Sequence, residues 1–133
     1  MRTINPESVP LPVGNYAHAV ELKGPVRLLF ISGQIPEEPG GSVPEAFEAQ
    51  CRLVWSHIGS ILDSAGFEVG DLIKVTTFLS DRGFAEVNSR IRREVLGRHE
   101  PSLTVVCASM LDQRWLLEIE AIAGKSGGDD GAT

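Results

Sequence analysis

Two apolar stretches near the C-terminus, residues 101–107 (PSLTVVC) and 116–122 (LLEIEAI), decide the fold. Both are rich in the aliphatic and β-branched residues that favour strands. The segment Leu111-Asp112-Gln113 between them is predicted to be a turn. The C-terminal part of the chain is therefore predicted to supply two strands.

The second of these strands alternates with a period of two. Trp115, Leu117, Ile119 and Ala121 fall on one face, and Leu116, Glu118, Glu120 and Ile122 fall on the other. Two carboxylates are thus side by side, roughly 6–7 Å apart along the strand. Such a pair belongs either to a solvated sheet face or to one wall of a site.

Length and composition describe one ordinary domain. The chain has 133 residues, 12 of them basic and 18 acidic, for a net charge of −6. We expect residues 1–124 to form a single domain and residues 125–133, rich in Gly and Asp, to form a disordered tail. The net negative charge does not favour general binding to the phosphate backbone, so nucleic acid is not an expected partner.

Targeting and cysteine patterns predict a cytoplasmic protein with no membrane partner. No apolar run reaches the length of a membrane span, and the N-terminus has no apolar signal region. Cys51 and Cys107 are too few for a disulfide framework, and both thiols are expected to be reduced and buried. No nucleotide-binding or metal-ligand motif is found, so no cofactor and no metal are predicted.

The remaining elements are predicted from hydrophobic periodicity and from the Gly and Pro residues that end helices and strands. Residues 16–22 and 26–32 are predicted to pair as a β-hairpin. A helix is predicted from a Ser42 capping box to Gly66, because apolar residues then repeat on one stripe. A strand over 71–80 and a second helix over 81–97 precede the two C-terminal strands. The second helix carries Arg90, Arg92, Arg93 and Arg98, which form either a solvated helix face or an anion or RNA contact.

The predicted order is β-β-α-β-α-β-β, an α+β fold with two helices on one face of a mostly antiparallel sheet. The other face of the sheet is too apolar to remain in water. We therefore expect that face to pack against copies of the same chain in a closed cyclic oligomer.

Seven short motifs, taken in order, resemble the RidA/YjgF family, also called the L-PSP endoribonuclease family. They are Gly14-Asn15-Tyr16, residues 32–36 (SGQIP), Gln50, residues 69–74 (VGDLIK), residues 84–88 (FAEVN), Pro101-Ser102 and residues 118–123 (EIEAIA). The match runs from about residue 10 to 124. The resemblance implies a chorismate-mutase-like protomer and a homotrimer with a central barrel. It also implies a small-molecule pocket at each subunit interface.

The resemblance further implies the residues of that pocket. In the active deaminases of the family, an arginine at the start of the penultimate strand holds the carboxylate of a 2-imino acid, and a glutamate on the last strand places the attacking water. The matching positions here are Leu103 and Glu118. Tyr16, the Gly33 backbone and Asn88 match other pocket positions, and Val105 shares the face of Leu103 and is expected to line the pocket.

Leucine at position 103 is the largest departure from the family pattern, because an apolar side chain cannot pair with a carboxylate. Neither Arg27 nor Arg114 can be assigned as a substitute from the sequence. Three interpretations follow. The chain is an enamine or imine deaminase with altered specificity, in which Glu118 is the catalytic residue. Alternatively it is a non-catalytic ligand-binding or regulatory trimer, or, as the least favoured option, an RNA-directed ribonuclease or translation inhibitor.

Overall fold

The computed structural model describes residues 1–126. Its strands are β1 (Arg2–Ile4), β2 (Ala19–Glu21), β3 (Val26–Gln34), β4 (Leu72–Leu79), β5 (Ser102–Cys107) and β6 (Leu117–Ser126), and its helices are α1 (Phe47–Ala65) and α2 (Ala85–Leu96). The main sheet has the strand order β3-β6-β4-β5. Strand β6 is antiparallel to both β3 and β4, whereas β4 and β5 are parallel. The predicted α+β class, with two helices and a mostly antiparallel sheet, is confirmed.

Both helices lie on one face of the sheet, and the core lies between them and the strands. The alternation predicted for the last strand is confirmed, since Leu117, Ile119 and Ala121 are buried. Helix α1 buries the predicted apolar stripe, from Phe47 through Leu62. Gly66 ends this helix in a left-handed conformation at φ 79°, which an L side chain adopts only with strain.

The predicted hairpin of residues 16–22 with 26–32 is wrong. Strand β2 pairs with β1, whose three residues are too few to show the alternation by which strands are predicted. Strand β3 instead pairs with β6 along nearly its whole length. The longer, more apolar β6 is the better partner for β3, because its alternating side chains complete the core beneath α1.

Both helix starts differ from the prediction. Helix α1 begins at Phe47 with Ala46 at the N-cap, so Ser42 does not cap it. The side chain of Gln50 fixes this entry, since it donates to the carbonyl oxygens of Pro44 and Arg114 and accepts from the Leu116 N–H. Asp81 caps a short 3-10 turn, which then leads into α2.

The C-terminal end of the last strand also differs from the prediction. Strand β6 continues to Ser126, and Arg27 pairs with Lys125 across the β3–β6 ladder. Lys125 therefore belongs to the sheet, although it was assigned to the tail. The rest of the predicted tail, residues 127–133, lies outside the described residues.

The face of the sheet opposite the helices is apolar and exposed in the single chain. Phe30 and Leu28 of β3 are 71% and 47% exposed, and Val106 of β5 is also exposed. These side chains share a face because they fall on alternate positions of their strands. No helix within the described residues is long and apolar enough to cross a membrane.

Candidate active site

Glu118 lies on the open face of β6, where it sits opposite Phe78 of β4. Together with Phe78 and the loop over residues 108–111, it lines a groove of about 260 Å³. The side chain is half-buried and takes part in none of the hydrogen bonds or ion pairs found within residues 1–126. A carboxylate placed in this way can accept a proton from a bound water.

Gly33 determines how closely the backbone approaches Glu118. A Cβ atom at position 33 would overlap Oε2 of Glu118 and lie only 2.8 Å from its Cδ. The β3–β6 register shifts between Ile31 and Gln34, so this irregularity brings Gly33 over the carboxylate. Glycine is required here by space. Gly33 and Glu118 form the first group of predicted site residues.

Leu103 and Val105 belong to a second group, on the other face of the sheet. Leu103 sits beside Val75 and packs against the core, and Val105 sits beside Thr77. Val75 and Thr77 are fully buried beneath the helices, which fixes the direction of their β5 neighbours. Val105 itself remains exposed, because β5 is the edge strand and the helices do not cover it.

Tyr16 and Asn88 join this second group. Ala17, next to Tyr16, donates its N–H to the Pro101 carbonyl and bridges to Ser102, so the 14–17 segment lies along the start of β5. Asn88 is buried on α2, with its Oδ1 atom 3.9 Å from the Sγ of Cys51.

The two cysteines have different surroundings. Burial raises the pKa of the Cys51 thiol to about 12, so this group is an inert part of the core at neutral pH. The expectation that both thiols are buried is wrong for Cys107, which is exposed. It lies at the end of the uncovered edge strand β5, on the same side as Leu103 and Val105.

The two groups do not meet within one chain. Glu118 is aligned with Phe78, and Leu103 is aligned with Val75, so they differ by three residues, about 10 Å, along β4. They also lie on either side of β4, about 10 Å apart across the sheet, and on opposite faces. No single ligand the size of a small imino acid spans that separation through the sheet.

The structure shows the positions of Arg27 and Arg114, which the sequence alone could not assign as substitutes for the family arginine. Arg27 faces the helices, where it donates to the Ala65 carbonyl and lies 4.7 Å from the centre of the Phe67 ring. Arg114 precedes β6 and binds Asp112 through its Nη2 atom at 2.9 Å. This guanidinium holds the pKa of the Asp112 carboxyl below its ordinary value. Neither arginine lies beside Leu103.

The sequence did not distinguish Arg92 from the other arginines of α2. It is only 5% exposed, whereas Arg90 forms an exposed network with Glu48 and Glu94. The solvated-face interpretation therefore holds for Arg90 and fails for Arg92. The available signal was the spacing of Arg92, which lies one helical turn beyond Asn88 on the same side of α2.

Glu120 occupies a separate part of the open face. It lines a groove of about 350 Å³ with Phe30, Ser32, Lys74 and Thr76. Its side chain is exposed and is two residues from Glu118 along the strand. Within residues 1–126, no cluster of three His, Cys, Asp or Glu side chains is placed to hold a metal ion.

Comparison with known proteins identifies the family. The profile of the family described as Endoribonuclease L-PSP matches residues 6–125. This chain belongs to the L-PSP endoribonuclease family, also called RidA/YjgF. It is 39% identical to a RutC family protein of Pyrococcus horikoshii over 122 residues, which cover 90% of this chain and 94% of the relative.

Two further relatives of this RidA/YjgF chain have more informative names. The 2-iminobutanoate/2-iminopropanoate deaminase of Escherichia coli is 34% identical over 126 residues, covering 92% of this chain and 96% of the enzyme. The structure of E. coli TdcF with bound serine superposes with a TM-score of 0.70 at 32% identity, covering 95% and 100% of the two chains. The family assignment and the YjgF fold are thereby confirmed.

Proposed function

We propose that this chain is a RidA-like hydrolytic deaminase of small imines or enamines, acting at a site shared between copies of the chain. The observation that carries the proposal is the position of Glu118, a carboxylate without a protein partner among the described residues, in a groove beside Gly33. Relatives named for imine deamination support the reaction class.

The reaction needs little machinery. The oxygen of a water molecule attacks the C=N carbon while the Glu118 carboxylate accepts a proton from that water. Glu118 then returns this proton to the imine nitrogen, giving a carbinolamine. As the carbinolamine collapses, its hydroxyl proton passes to the departing nitrogen, which leaves as ammonia, and a ketone and the ionised Glu118 remain. One water is consumed and one ammonia is released, with no redox change, so the step requires no oxidant or reductant.

Sharing the site between copies reconciles the two groups of residues. The open sheet face is apolar, as expected of a surface that packs against other copies in a homotrimer. In such an assembly Gly33 and Glu118 of one copy would face Tyr16, Leu103 and Val105 of the next, while Asn88 stays in the core of that copy. One copy would then supply the polar residues of the pocket, and the other copy would supply mostly apolar ones.

Ammonia release from freshly generated 2-iminobutanoate tests the proposal. We expect a rate above the spontaneous one, with Glu118→Gln lowering kcat by about 10²- to 10⁴-fold, the usual worth of a positioned proton acceptor. Far-UV circular dichroism and light scattering of the variant control for loss of fold or assembly. A wild-type rate equal to background, and unchanged by Leu103→Arg, would overturn the proposal.

A non-catalytic ligand-binding trimer is the second candidate, and Leu103 is the observation that favours it. An apolar side chain at the position of the family arginine weakens the grip on a substrate carboxylate. This candidate predicts saturable binding of a neutral analogue, 2-oxobutanamide, without ammonia release from the imine. Calorimetric titration of the wild-type protein measures the binding.

A further inference from the structure

Arg92 is a buried cation without a carboxylate partner in the described part of the chain. It takes part in none of the ion pairs within residues 1–126. Its Nη2 atom donates to Ser89 Oγ at 3.3 Å, and its Nε atom is buried with no acceptor among those residues. Arginines are rarely buried in proteins unless they are paired.

The surroundings of the Arg92 guanidinium raise its energy when it is charged. Burial lowers its pKa from the ordinary value, and the neighbouring Arg93 adds to that effect. An arginine side chain nevertheless keeps its proton at neutral pH. The chain therefore holds a dehydrated positive charge that an anion would stabilise.

Arg92 lies beside the second group of site residues. An atom at the missing Cβ of Gly14 would lie 3.8 Å from Nη2 of Arg92 and 3.7 Å from Cδ2 of Tyr16. The guanidinium and the phenol ring thus border one methyl-sized space beside Gly14. Asn88 precedes Arg92 by one helical turn, and the 14–17 segment lies against the start of β5, just before Leu103.

We propose that Arg92 is the carboxylate-binding residue of the site and supplies from α2 the cation that Leu103 does not supply from β5. The proposal rests on the proposed function for its substrate class, a 2-imino acid. The planar guanidinium offers paired N–H donors, which match the two oxygens of a carboxylate. Leu103 then serves as an apolar wall that keeps water away from this pair.

The assignment separates two roles that an arginine on β5 would combine. The positive charge comes from the helix, and the shape of the wall comes from the strand. Substitutions at position 103 should therefore change which alkyl side chain is accepted, whereas substitutions at position 92 should change the affinity for the carboxylate itself.

The test compares wild type with Arg92→Met, using Arg93→Met as the matched control. Arg93 is adjacent on α2 but exposed, so its removal tests charge loss without loss of the site. Two quantities are measured: the Kd of 2-oxobutanoate by calorimetry and the KM for 2-iminobutanoate. We expect Arg92→Met to raise both by roughly 10- to 100-fold, as for loss of a charge-assisted hydrogen-bonded pair, and Arg93→Met to change neither more than about twofold.

Three further measurements exclude a purely structural role. Binding of 2-oxobutanamide, the neutral analogue, should be unaffected by Arg92→Met. Leu103→Arg added to Arg92→Met should restore part of the lost affinity for 2-oxobutanoate. If Arg92→Met does not fold, Arg92→Lys keeps the charge and loses the paired donors, and it should still weaken 2-oxobutanoate binding.

The outcomes separate this inference from the proposed function. If the wild type hydrolyses 2-iminobutanoate and the Arg92→Met and Arg92→Lys variants do so equally well, the inference is overturned and the proposed function remains. Arg92-dependent binding of 2-oxobutanoate without any hydrolysis would overturn the function and leave the inference standing. Failure of wild type to bind 2-oxobutanoate, or equal weakening of 2-oxobutanamide binding, would overturn the inference.

Discussion

At the scale of single residues, the account depends on how Gly33 and Glu118 share space. The carboxylate lies where a side chain at position 33 would otherwise be. The absence of a side chain at position 33 therefore allows the Glu118 carboxylate to occupy its observed position. In the proposed function, Gly33 is the positioning residue and Glu118 the catalytic one.

Gly33→Ala should displace Glu118 and lower deaminase activity nearly as far as Glu118→Gln, because the added methyl group overlaps the carboxylate. We also expect a loss of about 1–3 kcal/mol in the free energy of unfolding, as for other overpacking changes. Ammonia release and urea denaturation measure the two effects.

The matched control is Gly59→Ala in α1, where an added Cβ would meet no atom within 4 Å. Alanine should stabilise this helix by about 0.5–1 kcal/mol without changing activity. Full activity in Gly33→Ala would contradict the role assigned to this glycine.

At the scale of elements, helices α1 and α2 are joined by an exposed network of four charges. Arg52 donates to Glu48 and Glu94, and Arg90 donates to the same two carboxylates. The hydrogen bonds from Arg52 and Arg90 lower the pKa of Glu48 from its ordinary value of 4.5. The contribution of Glu48 to stability is therefore present above pH 4.5 and is lost as the pH falls through its lower folded pKa.

Glu48→Gln should lower Tm by about 1–4 °C at pH 7, the modest effect expected of surface ion pairs. The Tm difference from wild type should shrink below pH 4.5 and vanish once Glu48 is protonated in the folded state. Calorimetric scans from pH 8 to pH 2.5 measure it. Glu45→Gln is the control, since Glu45 forms no ion pair among the described residues. A difference that persists unchanged at pH 2.5 would contradict this assignment.

The sequence predicted elements better than it predicted their partners. Alternation identified the buried face of β6, because burial on one face leaves a direct pattern in the residues. The pairing of β2 with β1 could not be read, since three-residue strands leave almost no pattern. The burial of Arg92 left only a weak signal, its helical spacing from Asn88, because it depends on the contact between Gly14 and the Arg92 guanidinium. Conversely, the family motifs predicted Glu118 and Tyr16 as pocket residues but gave no sign that the sheet separates them within one chain.

At the scale of the whole molecule, the proposed assembly depends on the open sheet face. Phe30 and Leu28 present apolar surface on this face, which the helices cannot reach. Covering it with other copies of the chain would bury that surface and bring the two groups of site residues together. Assembly and activity are therefore expected to be lost together.

Phe30→Glu should reduce the mass in light scattering to that of one 14.4 kDa chain, because a buried, unpaired carboxylate opposes packing. Deaminase activity should fall in parallel. Ser64→Glu, which adds the same charge on the exposed face of α1, is the control and should leave both unchanged. An active monomer would contradict the shared site.

Subunit mixing tests the shared site most directly. Glu118→Gln removes one half of the site and Arg92→Met removes the other, so at 2-iminobutanoate concentrations well below KM each variant alone should retain at most about a tenth of wild-type activity. Equal amounts of the two are unfolded together and refolded, and native mass spectrometry verifies that mixed oligomers form. With one residue taken from each neighbour, about one quarter of the sites contain both wild-type residues, so about one quarter of wild-type activity should return. Mixed oligomers that remain as inactive as the two separate variants would contradict the account.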